Sequence, residues 1–177
     1  MADADIPSGK DVRDSQADGS SLMPRGEEPP PESGVVFHAS AVWNGDGAGK
    51  GEMRPGDNTG IAIAGSRELG GSGGAINPEE LLLGALAACF VNTWAIFIKK
   101  LQISYEQPAI RVSGTLGKDP AGGFHMTGAI VHARVPQPLL SAELTKIEKS
   151  LSLAEKYCII SRAVRPGMPV KVEIEAV

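Results

Sequence analysis

Asn77-Pro78-Glu79-Glu80-Leu81-Leu82-Leu83-Gly84-Ala85-Leu86-Ala87-Ala88-Cys89-Phe90, continued to Lys99-Lys100, reads as one helix, and the remaining elements take their places around it. Asn77 is a favoured N-cap, Pro78 suits the first helical position where no donor is required, and Glu80 completes a capping box. Glu79 adds negative charge at the positive end of the helix dipole, and Lys99 and Lys100 complement the other end. Between them, eighteen residues from Leu81 to Ile98 carry no charge, and Cys89 sits in their middle. A helix that is apolar on every side has to be surrounded. A run of this length is also the minimum for a membrane span. Asn92 and Thr93 interrupt it, no aromatic belt flanks it, and the neighbouring segments read as amphipathic, so a buried central helix is expected and no membrane partner.

Upstream, Val35 to Trp43 reads as a strand that enters a Gly-rich turn, Asn44 to Gly51. That turn is not a phosphate loop. Lys50 is followed by Gly51 rather than Ser or Thr, no Gly lies five residues before Gly49, and no helical pattern follows, so a hairpin turn is expected. Gly60 to Ala64 is a further short strand, and Ser66 to Gly74 is a loop that delivers the chain to the helix. Downstream, Ala109 to Leu116 alternates Ile110, Val112, Gly114 and Leu116 on one face, turns at Gly117 to Gly123 and returns through Phe124 to Val135 as a hairpin. Residues 137 to 158 place Leu140, Leu144, Ile147, Leu151, Ala154 and Cys158 at helical steps, predicting a second helix with Cys158 on its buried stripe. Val170 to Ile174 closes the chain as a strand. This order predicts an α+β fold, with antiparallel sheet wrapped around two long central helices.

The chain has 177 residues and a net charge of −4, and the charge is unevenly placed. Met1 to Ser33 carries eight acidic and three basic residues, which leaves the body close to neutral. Residues 1–34 are read as a disordered acidic tail, rich in Asp, Ser, Gly and Pro, and residues 35–177 as the folded domain. The tail has no apolar core typical of a signal peptide and is too acidic for a mitochondrial transit peptide, so a cytoplasmic location is expected. The body shows no basic stripe and no zinc-finger spacing, which argues against nucleic acid as a partner.

Two cysteines, Cys89 and Cys158, are each read on the inward side of a long helix. Two structural core thiols and a redox pair both fit that placement. His38, His125 and His132 show no metal-ligand spacing with either cysteine, and no metal or other cofactor is expected. A redox pair requires a group that stabilises a thiolate, and Arg67 and Glu79 stand near the helix start.

Asn77-Pro78-Glu79-Glu80-Leu81 followed by Ala87-Ala88-Cys89-Phe90, with Arg67-Glu68-Leu69-Gly70-Gly71 upstream and Tyr157-Cys158-Ile159-Ile160-Ser161 downstream, resembles the OsmC/Ohr family of thiol peroxidases. The names stand for osmotically inducible protein C and organic hydroperoxide resistance protein. The resemblance runs from about Val35 to Val177. It mixes OsmC-like features, Gly45-Asp46 to Gly49-Lys50-Gly51, with Ohr-like ones, Arg67 to Gly71, and assigns neither branch. It implies an intertwined homodimer that reduces organic hydroperoxides in an oxidative stress response, with Cys89 as peroxidatic and Cys158 as resolving thiol. Glu79 matches the acidic residue that holds the active-site arginine. Arg67 fits the OsmC pattern for that arginine, whereas Ohr-type proteins supply theirs from the first hairpin, where this chain has Lys50. The implied reductant is a dithiol such as a lipoylated protein. Two positions depart from the family: Ile159 stands where proline usually follows the second cysteine, and Leu86 stands where His or Tyr is common. A diverged, non-catalytic relative that binds a small apolar molecule is the alternative.

The implied chemistry requires these residue types. Only a thiolate attacks the peroxide bond, and an ordinary cysteine has a pKa of about 8.5, so a nearby guanidinium would populate it at neutral pH. On one continuous helix, Glu79 and Cys89 are separated by about 15 Å. Contacts from both to one guanidinium need about 3 Å at each end. A Glu-to-Arg-to-Cys relay is therefore expected across a two-fold dimer interface.

Overall fold

The computed structural model describes residues 34–177, so the expected tail lies outside the described residues apart from Gly34. The elements are β1 (Ala39–Asn44), β2 (Lys50–Pro55), β3 (Ile61–Ala64), α1 (Pro78–Lys100), β4 (Ala109–Lys118), β5 (Phe124–Val135), α2 (Gln137–Tyr157), α3 (Ile159–Val164) and β6 (Val170–Ala176). His38–Val177 is one unit, and residues 34–37 before it are neither helix nor strand.

The capping box of α1 forms as its sequence dictates. Asn77 Oδ1 accepts from the Glu80 N–H at 2.7 Å, and the Asn77 N–H donates to Glu80 Oε2 at 3.2 Å. Leu86, Phe90, Trp94 and Ile98, spaced by one turn each, form the buried stripe. They join Val131, Ala133 and Val135 of β5 and Ile147, Leu151 and Ala154 of α2 in one core. Burying each such large side chain stabilises the fold by about 1.5–3 kcal/mol. Trp94 Nε1 donates to Ser150 Oγ at 2.8 Å, and Ser150 Oγ donates to the Ile147 carbonyl at 2.7 Å, so no polar atom of this cluster is stranded.

The opposite face of α1 is open. Gly84, Ala85, Ala88, Asn92 and Ile96 are exposed, and the expectation that the helix is surrounded is met on one side only within a single chain. The reason is geometric: α2, α3 and β4 pack against one side of α1, and none of the other described elements packs substantially on its other side. By length and composition alone, α1 is apolar enough to cross a membrane.

Among the described residues there are two three-stranded sheets, ordered β1-β2-β3 and β4-β5-β6. The first is antiparallel and includes β2, a strand that the expected turn requires but the sequence pattern does not announce. β1 begins at Ala39 rather than Val35, and all six of its residues are exposed. The Gly45 to Gly49 segment is the β1–β2 turn, with Gly45 at φ 97°. None of the major packing relations joins this sheet to the helices or to the second sheet. β4 and β5 form the expected hairpin, with an irregularity at Thr115/Leu116. β6 runs parallel to β5, the exception to the antiparallel pattern. The helical crossover through α2 and α3 returns the chain to the end at which β5 began, and a parallel pairing follows from such a connection.

The second helix differs from its sequence reading in two places. Glu143 (φ −135°, ψ 29°) kinks α2 near its start, so the stripe shifts, leaving Leu144 exposed and burying Ser150 instead. At the other end α2 stops at Tyr157. Cys158 (φ −64°, ψ 114°) is extended, closing α2 and capping α3. It is therefore a junction residue rather than a member of the stripe, although it is fully buried. The break needs no proline, because a side chain that accepts from the N3 amide, as Ser or Asp does at an N-cap, stabilises it.

Candidate active site

Cys89, halfway along α1, faces the junction between α2 and α3. Both cysteines are free thiols, and each lies near enough to the other to influence its ionisation. The structure thus brings together two of the four expected site residues, 69 positions apart in sequence. Cys89 is half-buried at the wall of a cavity of about 620 Å³, lined also by Thr93, Ile96, Phe97, Lys100, Tyr157 and Ile159. Phe97 and Tyr157 stack at 5.6 Å between centroids, and Lys100 Nζ lies 5.4 Å from the Phe97 ring centroid, so the wall is aromatic with one cation at its rim.

The surroundings treat the two thiols differently. Burial pushes the Cys89 thiol up, but the N–H of Ile160, the Cys158 thiol, the N–H of Ile159 and the Thr93 hydroxyl together outweigh it and hold the pKa below the ordinary cysteine value. Burial also dominates at Cys158, aided by the neighbouring Cys89, and there it wins. The N–H of Ser161, donating to Cys158 Sγ at 3.3 Å, recovers only part, and the thiol is raised to about 11. The fold thus makes Cys89 the more acidic of the two thiols and keeps Cys158 protonated at neutral pH. Among the described residues no group of three metal-ligating side chains converges.

The other two expected site residues lie elsewhere in the single chain. Arg67 begins a short 3-10 turn and is exposed, its side chain lying over Gly73, whose φ of 61° only glycine adopts readily. It lines a depression with Ser66, Gly74, Asn77 and Glu80. Glu79 lines the adjoining one with Leu69, Leu83, Gly114, Leu116 and Met126. Neither depression shares a residue with the cavity at Cys89. Glu79 Oε2 is buried, and among the described residues it has no hydrogen-bond partner. Leu86, at the first family departure, is fully buried in the core.

The sequence reading missed Thr93, whose hydroxyl also donates to the Cys89 carbonyl at 2.8 Å, and missed the amides of Ile159 and Ile160. Thr93 was legible as the residue one helical turn after Cys89. The amides were not, because they depend on the break at Cys158.

The chain thus carries two free thiols, one on a central helix and one at a helix junction, over an α+β scaffold. A family model described as OsmC-like protein matches residues 71–173, and the chain belongs to that family. "Organic hydroperoxide resistance protein-like 2" of Staphylococcus epidermidis is 27% identical over 143 residues, covering 80% of this chain and 96% of the relative. The uncharacterised protein YmaD of Bacillus subtilis is also 27% identical, over 142 residues, covering 77% and 91%. Among solved structures, an organic hydroperoxide resistance protein OsmC from Legionella pneumophila aligns with a TM-score of 0.65 at 28% identity, covering 80% of this chain and 99% of that one. The fold is shared with OhrB of Bacillus subtilis, with a TM-score of 0.63 at 24% identity over 80% of this chain and all of that one.

Proposed function

We propose that the protein is a cysteine-based peroxidase that reduces organic hydroperoxides to alcohols, with Cys89 as the attacking thiol and Cys158 as the resolving thiol. The observation that carries this reading is the proximity of a thiol made more acidic by its surroundings to one raised to about 11, at the wall of a largely apolar cavity. The Cys89 thiolate attacks the outer peroxide oxygen. The O–O bond breaks, the alkoxide takes a proton and leaves as the alcohol, and Cys89 becomes a sulfenic acid. Cys158 then attacks that sulfur, losing its proton as water leaves, and a disulfide results. A dithiol of the lipoyl type resets the pair by exchange. The cytoplasm, kept reducing, suits that cycle.

The site is completed in a homodimer. A second copy laid antiparallel on the open face of α1 brings its Glu79 and Arg67 toward this Cys89. That arrangement would give the orphaned Glu79 Oε2 its cation and supply the guanidinium that is missing beside the thiol among the described residues.

The test is to count free thiols before and after one equivalent of cumene hydroperoxide. Two thiols falling to none, with one equivalent of alcohol formed and a Cys89–Cys158 linkage by mass, is the expected result. An unchanged thiol count with probe bound in the cavity would instead make the protein a non-catalytic binder of small apolar molecules. Cys89→Ser should abolish peroxide consumption. Cys158→Ser should allow about one turnover and then accumulate sulfinic acid at Cys89, because nothing resolves the intermediate.

A further inference from the structure

The face of β4, β5 and β6 turned away from α1 carries a polar cluster that the cysteine chemistry does not use. Val131 and Ala133 of β5 belong to the core, so His132 between them points outward, because side chains alternate along a strand. The pairing Arg111↔His132↔Glu173 sets His132 between β4 and β6, with Ser113 two residues further along β4. Ser113 Oγ and His132 Nε2 are hydrogen-bonded at 3.1 Å, and the other ring nitrogen, Nδ1, lies 3.8 Å from Glu173 Oε2. A carboxylate on the Nδ1 side favours the tautomer with its proton there, which leaves Nε2 to accept from the Ser113 hydroxyl. The His132 side chain is 17% exposed and that of Glu173 53%. The Arg111 guanidinium of the same row pairs with Glu175 instead, at 4.0 Å.

Ser113 also lines a depression of about 260 Å³ with Thr115, Gly128, Ile130, Pro169 and Lys171. Lys171 stands in the same cross-strand row as Ser113, beyond Ile130. Two strand spacings, about 10 Å, separate their backbones. A hydroxyl held by a base therefore opens on a concavity that has a cation on its opposite side.

We propose that Ser113, His132 and Glu173 form a second catalytic site, a serine esterase centre for esters of short acyl chains. His132 Nε2 takes the proton as Ser113 Oγ attacks the ester carbonyl, and the oxyanion that forms faces Lys171. The ester C–O bond breaks, His132 returns the proton to the departing alcohol, and an acyl group remains on Ser113. Water then attacks that group with His132 again as base, releasing the acid and restoring the hydroxyl. Ser113 and His132 are the catalytic residues, and Glu173 is a positioning residue that acts through His132. The depression is smaller than the roughly 300–1,000 Å³ of drug-sized ligand sites, which limits the acyl group to a short one.

The test treats the native chain with p-nitrophenyl acetate and, separately, with an alkyl fluorophosphonate, and locates the modified residue by peptide mass. The second probe is needed because the Cys89 thiol also attacks activated esters, whereas a fluorophosphonate reports an activated hydroxyl. The expected result is stoichiometric phosphonylation of Ser113, acetylation of the same residue after acid quenching, and neither in Ser113→Ala. His132→Gln should slow labelling about 10²- to 10⁴-fold, the loss of a general base. Glu173→Gln should lower the maximal labelling rate about two- to fivefold, the scale of an exposed ion pair, with the half-saturating probe concentration unchanged. Glu173→Asp should recover part of that loss. A native chain labelled only at cysteine or lysine residues, or not at all, would overturn the proposal whatever the variants do. So would a His132→Gln chain labelled at Ser113 as fast as the parent.

Discussion

Cys89 and Cys158 are chemically identical side chains whose acidities the fold drives apart, and pH is the variable that exposes the difference. Peroxide consumption should rise with pH as Cys89 ionises, with a midpoint below the ordinary value of about 8.5, measured under single-turnover conditions. Stability should respond the other way to Cys158. Its folded value of about 11 exceeds the unfolded value, so the folded state retains a proton that the unfolded chain releases. The contribution is full below about pH 8.5 and is lost as pH rises toward 11. Thermal melts over that window should fall more steeply for the native chain than for Cys158→Ser, and parallel curves would refute the assignment. Cys89 acts oppositely, its contribution being lost as pH falls through its depressed value. Both thiols were legible in the sequence by position and motif. Cys89 as the more acidic one came only from the family resemblance, because the backbone amides that favour its thiolate face it only once the chain breaks at residue 158.

α1 holds the site in place through one polar contact inside an apolar core. Removing Ser150 Oγ leaves the buried Trp94 N–H without an acceptor, so Ser150→Ala should cost about 1–3 kcal/mol in urea denaturation, while exposed Ser152→Ala should be neutral. Leu86→Ala should cost about 2–5 kcal/mol, since a fully buried leucine leaves a cavity among close-packed neighbours. Where local chemistry is strong, the elements follow the sequence closely: the Asn77-Pro78-Glu79-Glu80 cap and the alternation across β4 and β5 set those boundaries. α2 was read less well. Its kink at Glu143 carries no proline or glycine signal, and the stripe that seemed to run through Leu144 to Cys158 fits an unbroken helix equally well on paper. The parallel seat of β6 was likewise invisible, because a short alternating strand encodes which face is buried but not the direction of its neighbour.

Among the described residues a single copy of the chain leaves one face of α1 and the whole of β1 exposed, and the proposed homodimer would cover them. Ala85→Arg, which sets a charge on the open helix face, should convert a dimer into a monomer by sedimentation and remove peroxide turnover together with it. Mixing Cys89→Ser subunits with Glu79→Ala subunits should restore part of the activity, because one of the two hybrid sites again holds both residues. Mixtures as inactive as either parent would place the relay within one chain. The β1–β3 sheet carries a last consequence, which concerns time rather than architecture. It is the first part of the body to be synthesised, and among the described residues no helix or second sheet packs substantially against it. In the proposed homodimer its maturation would wait for an encounter between two molecules, so the final step of refolding should be second order, its half-time shortening in proportion as the protein is made more concentrated.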